Sequence, residues 1–552
     1  MWSGLFITGS TSVFYSSKIC ECGSHYFINL DGPTHRRFET DCSTPRISSV
    51  YVVVDHLIPP LAIPPLSKRM LLLFLISLLS IAASISSPYQ SKYVSAQYEN
   101  YPYPPNLQPA LFQTMAPPVL QSPSHLSEIS HHVFNGQINW CTFNLKVLIA
   151  GGGTGEKTIQ LVRQLMASKS TWHITHLDLS NASVTIAQER IIALFGKKVL
   201  QSISFVHGSL LNLNELLPFE MFDYIDCLGV LHTMSNPSFA LSMLNAHLNP
   251  NGGIGIMVYA PIGRAGVINF QNTVKLLINN TQFASDQDEQ LILTKSLLKF
   301  LPRTNPLRLD SWRWKKLQRT IYNTTKDSGL VDLFMPAHDV PMTVKDVYDF
   351  VEASNMNVQT FVHSALYKLS TYVHDPILLK QLQDIFATRS EEESFVELFS
   401  GNMFHHFFYV TKTSNPISKQ HTWTDDKKLI PIPVRFHGPS LSTALRNLTF
   451  YPWKNNNLDL FFRLPRCEGD ALLKILTFID GKNSVETIEE KVQSSTDFDF
   501  CFNSLVDLLN GMGKLFMSKI PAQFEELSVD ERAVRTALYP NLPRNAWHYF
   551  KC

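Results

Sequence analysis

The sequence is short of several things, and each shortage narrows what the chain does. Charge is sparse: charged residues make up 17% and the formal net charge is only +1. A chain this close to neutral has no global field to recruit a polyanion, so nucleic acid is not an expected partner. Cysteine is scarce and scattered. The eight thiols, Cys20, Cys22, Cys42, Cys141, Cys227, Cys467, Cys501 and Cys552, form no CxxC pair and no Cys/His cluster with zinc-ligand spacing. No metal site is therefore expected. The longest apolar run falls short of the roughly twenty residues that a bilayer core demands.

What is present argues for a folded protein with a large core. Hydrophobic residues make up 45% of 552 residues, which is far from a disordered composition. At roughly 100–200 residues per domain, two to four units are expected. Residues 1–90 read as an extension rich in Ser, Thr and Pro. Within it, Lys68-Arg69-Met70 precedes the run LLLFLISLLSIAASISS, so residues 70–87 fit a signal peptide if translation starts at Met70. Starting from Met1, the same run becomes a short signal-anchor with its basic end cytoplasmic, which would tether the chain to a membrane. Localisation stays open on this reading. A glycan on the sequon at Asn181 would crowd the pocket described next, which argues against a lumenal catalytic domain.

The most informative stretch is Lys146-VLIAGGGTGEKT. Val147–Ala150 is apolar and β-branched, as in a buried parallel strand. Gly151, Gly153 and Gly155 follow at once, and then Ile159, Val162 and Leu165 recur at helical spacing. Strand, glycine turn and helix open a βαβ unit whose turn lets a ligand approach the backbone. A dinucleotide fingerprint would place a third glycine where Glu156 stands, which disfavours a nicotinamide-dependent oxidoreductase. A second run, Trp172-HITHLDLS, ends at Asp178, where a carboxylate can accept both hydroxyls of a ribose. Leu179 beside it is an expected contact. The third run closes on His207-Gly208-Ser209-Leu210; Ser209 is placed to bond an adenine edge and Leu210 to pack on the ring face. The fourth, Phe222-DYIDCLGVLHT, contributes Cys227 and Leu228 to the expected cofactor contacts, although Cys227 also reads as a buried free thiol. Asn236-Pro237 then caps and opens a helix. Leu248-NPNGG ends that helix, and Ile254-GIMVYAP is a fifth strand.

These motifs, in this order, resemble those of class I S-adenosylmethionine-dependent methyltransferases. A narrower likeness is to uncharacterised methyltransferase-domain proteins, carried by Tyr101-PYPP, Ser122-PSHLSEISHHVF, the GGGTG turn and Met257-VYAPIGRAGV over about residues 95–415. Thr233 departs from that pattern, where a second His is common. The resemblance implies an α/β fold: a Rossmann-like seven-stranded sheet with helices on both faces and a last strand that runs antiparallel. It also implies S-adenosylmethionine as cofactor and an unidentified small-molecule or protein acceptor.

The expected organisation is a lid region at 91–140, a catalytic domain at 141–415 and a helical insertion at about 263–355 covering its mouth. A linker at 416–455 and a small winged-helix-like α+β module at 456–552 follow. The module's recognition-helix candidate carries Glu486, Glu489 and Glu490, so protein docking or structural capping fits it better than DNA binding. Methyl transfer from a sulfonium needs mainly alignment. A base is required only where the acceptor must first lose a proton, and His232 is the candidate. Tyr259 and Arg264 are placed to hold an acidic or phenolic acceptor, with Tyr101, His131 and His132 closing from the N-terminal side. The competing reading is a non-catalytic adapter that keeps the fold.

Overall fold

The computed structural model describes residues 87–105, 126–166, 171–280, 286–309, 327–415, 423–433, most of 450–519 and a few short strand pairs elsewhere. The chain forms two compact units, Met1–Ala82 and Ala83–Cys552. In the first, the described residues are two short antiparallel strand pairs, Ile7–Thr8 with Ser12–Val13 and His25–Phe27 with Arg36–Phe38. The apolar run at 70–86 lies outside the described residues, and among those described no helix is long and apolar enough to cross a membrane.

The second unit is built on a seven-stranded sheet. Its strands are β1 (Leu145–Ala150), β2 (Trp172–Asp178), β3 (Ile203–His207), β4 (Phe222–Leu228), β5 (Leu248–Tyr259), β6 (Met356–Phe361) and β7 (His405–Lys412). The spatial order is β6-β7-β5-β4-β1-β2-β3, and β7 runs antiparallel to both of its neighbours. The sheet is of the α/β, Rossmann-like kind that the motifs implied.

Strand alternation explains the two layers. Leu145, Val147 and Ile149 of β1 belong to one core cluster, with Ile129 and Leu161, while Leu148 and Ala150 belong to another, with Leu241 and Phe408. Successive side chains point to opposite faces, so a strand covered on both sides must be apolar throughout. The helices α2 (Leu126–Phe134), α3 (Glu156–Leu165), α4 (Asn181–Phe195) and α5 (Pro237–Ala246) supply the covers, and α1 (Ser87–Asn100) packs on α4. The Asn236 side chain caps α5 by accepting from the Phe239 amide at 3.0 Å, with Pro237 in the first turn. The chain leaves β1 toward β2 and β3, then returns to β4 on the other side of β1. That reversal opens a crevice at the carboxyl ends of β1 and β4, where such sheets bind ligands.

Between β5 and β6 lies the helical insertion, including α6 (Ala265–Asn280), α7 (Gln287–Lys299), α8 (Asp327–Phe334) and α9 (Val344–Glu352). Val267, Phe270, Leu291, Leu298, Leu330 and Phe334 give it a core of its own. Farther on, α10 (Ala471–Phe478), α11 (Val485–Val492) and α12 (Phe498–Gly511) share a fourth core with Leu429 and Ala365, and a disulfide joins Cys467 to Cys501. Here the structure differs from the linker expected at 416–455. Ile430–Pro433 forms β8, antiparallel to β9 (Leu515–Ser518), and its residues are buried. The alternation of Ile with Pro reads as a stiff spacer in sequence, yet two prolines still leave a strand able to pair along one edge.

Replacing Asn236 by Ala is expected to cost about 1 kcal/mol, the usual worth of a capping side chain, while Asp at this position should cost little. The midpoint of urea unfolding for the three proteins checks this.

Candidate functional site

A cavity of about 300 Å³ opens at the crevice. Its floor is the turn after β1. The Gly151 and Gly152 amides both donate to the Leu177 carbonyl at 2.9 Å, folding the turn across the end of β2. Gly151, Gly153 and Gly155 all have positive φ, at 76°, 51° and 91°. A methyl group on Gly151 would strike Val230, and one on Gly153 would strike the Tyr103 carbonyl oxygen. Glycine is thus required by conformation and by crowding together.

The Asp178 carboxylate faces this turn. Its Oδ2 accepts from the Gly153 amide at 2.7 Å and its Oδ1 from the Ser180 amide at 2.9 Å. Burial pushes its pKa up, opposed by these amides. Of the cofactor contacts expected from sequence, Gly151, Gly153, Asp178, Leu179, Ser209, Leu210 and Leu228 line the one cavity. Gly155 and Cys227 do not. Gly155 lies beneath the turn against Ala187, and the Cys227 thiol is fully buried in the core, where burial and Asp226 push its pKa above the ordinary thiol range. Ser209 also caps a short turn by accepting from the Leu211 amide at 3.2 Å.

The catalytic candidates separate. Tyr259 lines the cavity. His232 does not: its ring packs behind Tyr259 at 4.2 Å, and it is 2% exposed. Burial first, then Arg264 and His338, push its pKa down to about 3. A base with so little basicity and no access to the cavity is poorly suited to deprotonate an acceptor. Position after the fourth strand suggested the role; the direction of the ring removes it. Arg264 is likewise turned away. It is 1% exposed, stacks on the Tyr259 ring at 3.5 Å and pairs with Asp339 at 3.7 Å. Buried behind the Tyr259 ring and absent from the cavity lining, it does not stand where the sequence placed it to grip an acceptor.

The N-terminal closure also falls on other residues. Tyr101 packs against the insertion and bonds Asp288. His131 stacks on Trp423 and His132 on Tyr409, both away from the cavity lining. Tyr98 and Tyr103 line it instead. Tyr103 is anchored by its carbonyl, which accepts from the Thr154 amide at 3.2 Å, while the Pro104 carbonyl accepts from the Thr154 hydroxyl at 2.9 Å. Beside these tyrosines Asp332 of α8 also lines the cavity. Its Oδ1 accepts from Tyr98 at 2.9 Å and its Oδ2 from Tyr259 at 3.3 Å. Sequence reasoning missed Asp332 because DSGLVDLF reads as a short packing helix whose acids face water. Glu156 and Lys157, at the start of α3, complete the wall near the turn. Among the described residues no cluster of three or more His, Cys, Asp or Glu side chains is arranged to hold a metal.

Comparisons with known proteins bear on this region. A family model described as a methyltransferase domain matches residues 148–254, the segment from β1 into β5. An uncharacterised protein of Synechococcus sp. is 25% identical over 413 residues, covering 73% of this chain and 88% of its own length. A non-reducing polyketide synthase of Macrophomina phaseolina is 27% identical over 178 residues, which are 32% of this chain but only 7% of that protein. Among solved structures, PKMT2 from Rickettsia typhi superimposes with a TM-score of 0.50 at 17% identity, covering 75% of this chain and 78% of that one. That likeness is one of fold.

Two predictions follow from the geometry. Gly153→Ala should dislodge the Tyr103–Pro104 segment from the turn, seen as faster hydrogen exchange at the Thr154 amide; unchanged protection would contradict the crowding argument. The second concerns acid. His232 has a folded pKa below its unfolded value, so the stability it contributes is present above about pH 6.5 and is lost as pH falls toward its folded pKa. His232→Gln should flatten the decline in unfolding midpoint between about pH 6 and 4 relative to wild type, by on the order of 1 kcal/mol per pH unit.

Proposed function

We propose that the chain is an S-adenosylmethionine-dependent methyltransferase whose donor occupies the crevice above the Gly151–Gly155 turn. The observation that carries the reading is the Asp178 carboxylate on the wall of the same cavity as that turn, at the end of the neighbouring strand. The match of residues 148–254 to a methyltransferase domain supports it. We extend the reading to the narrower group of methyltransferase-domain proteins that share the Tyr101-PYPP and Met257-VYAPIGRAGV stretches.

The residues suit this donor. S-adenosylmethionine supplies a methyl group on a positively charged sulfonium, already activated to leave. It needs no phosphate cradle, and Glu156 stands at the start of α3, where a dinucleotide would bring its pyrophosphate. A carboxylate there repels a polyphosphate and tolerates a cation. Asp178 is the residue to accept the ribose hydroxyls, through the lone pairs that its bonds from the Gly153 and Ser180 amides leave free. Leu179 and Leu210 offer apolar surface to the adenine, with Ser209 beside them. With alignment as the main catalytic requirement, a closed crevice with a fixed floor is the chief contribution of the chain.

The test is ligand binding. S-adenosylhomocysteine should raise the thermal midpoint of the wild-type protein and NAD should not. Asp178→Ala should weaken S-adenosylhomocysteine by about tenfold or more, as expected for a lost charge-assisted pair of hydrogen bonds. Stabilisation by NAD alone would overturn the reading, and an unchanged affinity in Asp178→Ala would remove the ribose assignment.

A further inference from the structure

The cavity has a second end. Tyr98, Tyr103 and Tyr259 contribute aromatic wall there, and the Asp332 carboxylate sits among them with one oxygen bonded to each of two phenols. Met234, Met257 and Phe407 continue the wall. Tyr98 comes from α1, Tyr103 from the segment after it, Tyr259 from β5 and Asp332 from the helical insertion.

The charges point one way. Arg264 lies against the ring of Tyr259 and is paired with Asp339, so its guanidinium does not line the cavity, and the cavity's lysine, Lys157, stands at the start of α3 beside the turn. At the tyrosine end an acidic acceptor would face the Asp332 carboxylate and the phenol oxygens. An aromatic wall around a carboxylate attracts a cation twice, through the ring quadrupoles and through the charge itself. We infer that the acceptor is an aliphatic amine, received as its ammonium by Asp332 within the Tyr98–Tyr103–Tyr259 wall. This rests on the donor reading above.

The same carboxylate has a further use. An ammonium has no lone pair and must lose a proton before it can accept a methyl group. Burial pushes the pKa of Asp332 up, with Asp339 acting in the same direction and the Tyr98 and Tyr259 bonds and Arg264 against it. A carboxylate of raised pKa is suited to take that proton. The nitrogen lone pair then forms the new N–C bond, the C–S bond breaks, and its electron pair stays on sulfur. The products are a methylated ammonium and a neutral thioether, and Asp332 returns the proton to solvent. The reaction needs no other reactant.

The experiment measures thermal stability of the full chain saturated with S-adenosylhomocysteine. n-Butylamine, n-butanol and butyrate are added separately. The expected result is a rise in midpoint with n-butylamine and none with the alcohol or the acid. Asp332→Asn should abolish the amine response, with S-adenosylhomocysteine affinity kept within about twofold, because the substitution is isosteric and lies away from the nucleotide. An absent amine response in wild type, or an equal response to butyrate or butanol, would overturn the inference. So would a loss of S-adenosylhomocysteine affinity in Asp332→Asn as large as the loss in Asp178→Ala, since Asp332 would then hold the ammonium of the donor itself. A wild-type protein that does not bind S-adenosylhomocysteine at all would sink the donor reading first, and this inference with it.

Discussion

The bond from the Gly153 amide to Asp178 ties together everything that forms the crevice. It joins the turn after β1 to the end of β2, and it exists only because Gly153 adopts a left-handed conformation with no side chain in the way. The same turn accepts the N-terminal segment: the Thr154 amide donates to the Tyr103 carbonyl one residue along. A bulkier turn would lose both contacts together. Arg190 of α4 adds support from below, donating to the Thr154 carbonyl and pairing with Glu156 at 3.2 Å. The floor is therefore held from three elements, which fixes its geometry.

The sequence was most legible where function and local geometry coincide. Glycines at Gly151 and Gly153 announce positive φ, and an acid at the end of β2 announces a carboxylate facing that turn, because each signal is contained in a few adjacent residues. The Asn236-Pro237 start of α5 was readable for the same reason. The far end of the cavity was not. Asp332 reaches Tyr98 across a separation of 234 residues, and no local pattern distinguishes it from a solvated helical acid. Tyr98 and Tyr103 line the cavity while Tyr101 faces the insertion, a choice made by how the end of α1 packs and not by residue type. His232 shows the converse error. Its position on the chain suits catalysis, but the side chain turned inward, and burial made it a poor base.

The C-terminal helices illustrate a different limit. A segment with alternating Ile and Pro looks like a spacer because proline cannot donate to a ladder on both sides. Ile430–Pro433 is instead a buried strand paired with β9, whose Leu515 and Met517 share a core with Leu429. The Met517 amide donates to His131 of α2 at 3.0 Å, and the nearby turn at Gly136 leaves no room for a side chain beside the Met517 carbonyl. Helix α2 in turn places Val133 against Gly253 of β5. The module is thus continuous with the covering of the central sheet.

The proposed ligands also raise a question of charge balance, which the wall answers. A sulfonium donor and an ammonium acceptor bring two positive charges into one small cavity, where their repulsion is stronger than in water. Three carboxylates line it, Asp178, Glu156 and Asp332, against the single ammonium of Lys157. Each carboxylate stands at a different station: the turn, the helix start and the tyrosine wall. Transfer of a proton to Asp332 removes one positive charge from the acceptor at the moment when donor and acceptor must approach. The repulsion that would keep two cations apart is thereby relieved by the step that creates the nucleophile. A cavity with Arg264 in its wall would have lacked this property, and the packing of that guanidinium behind Tyr259 is what preserves it.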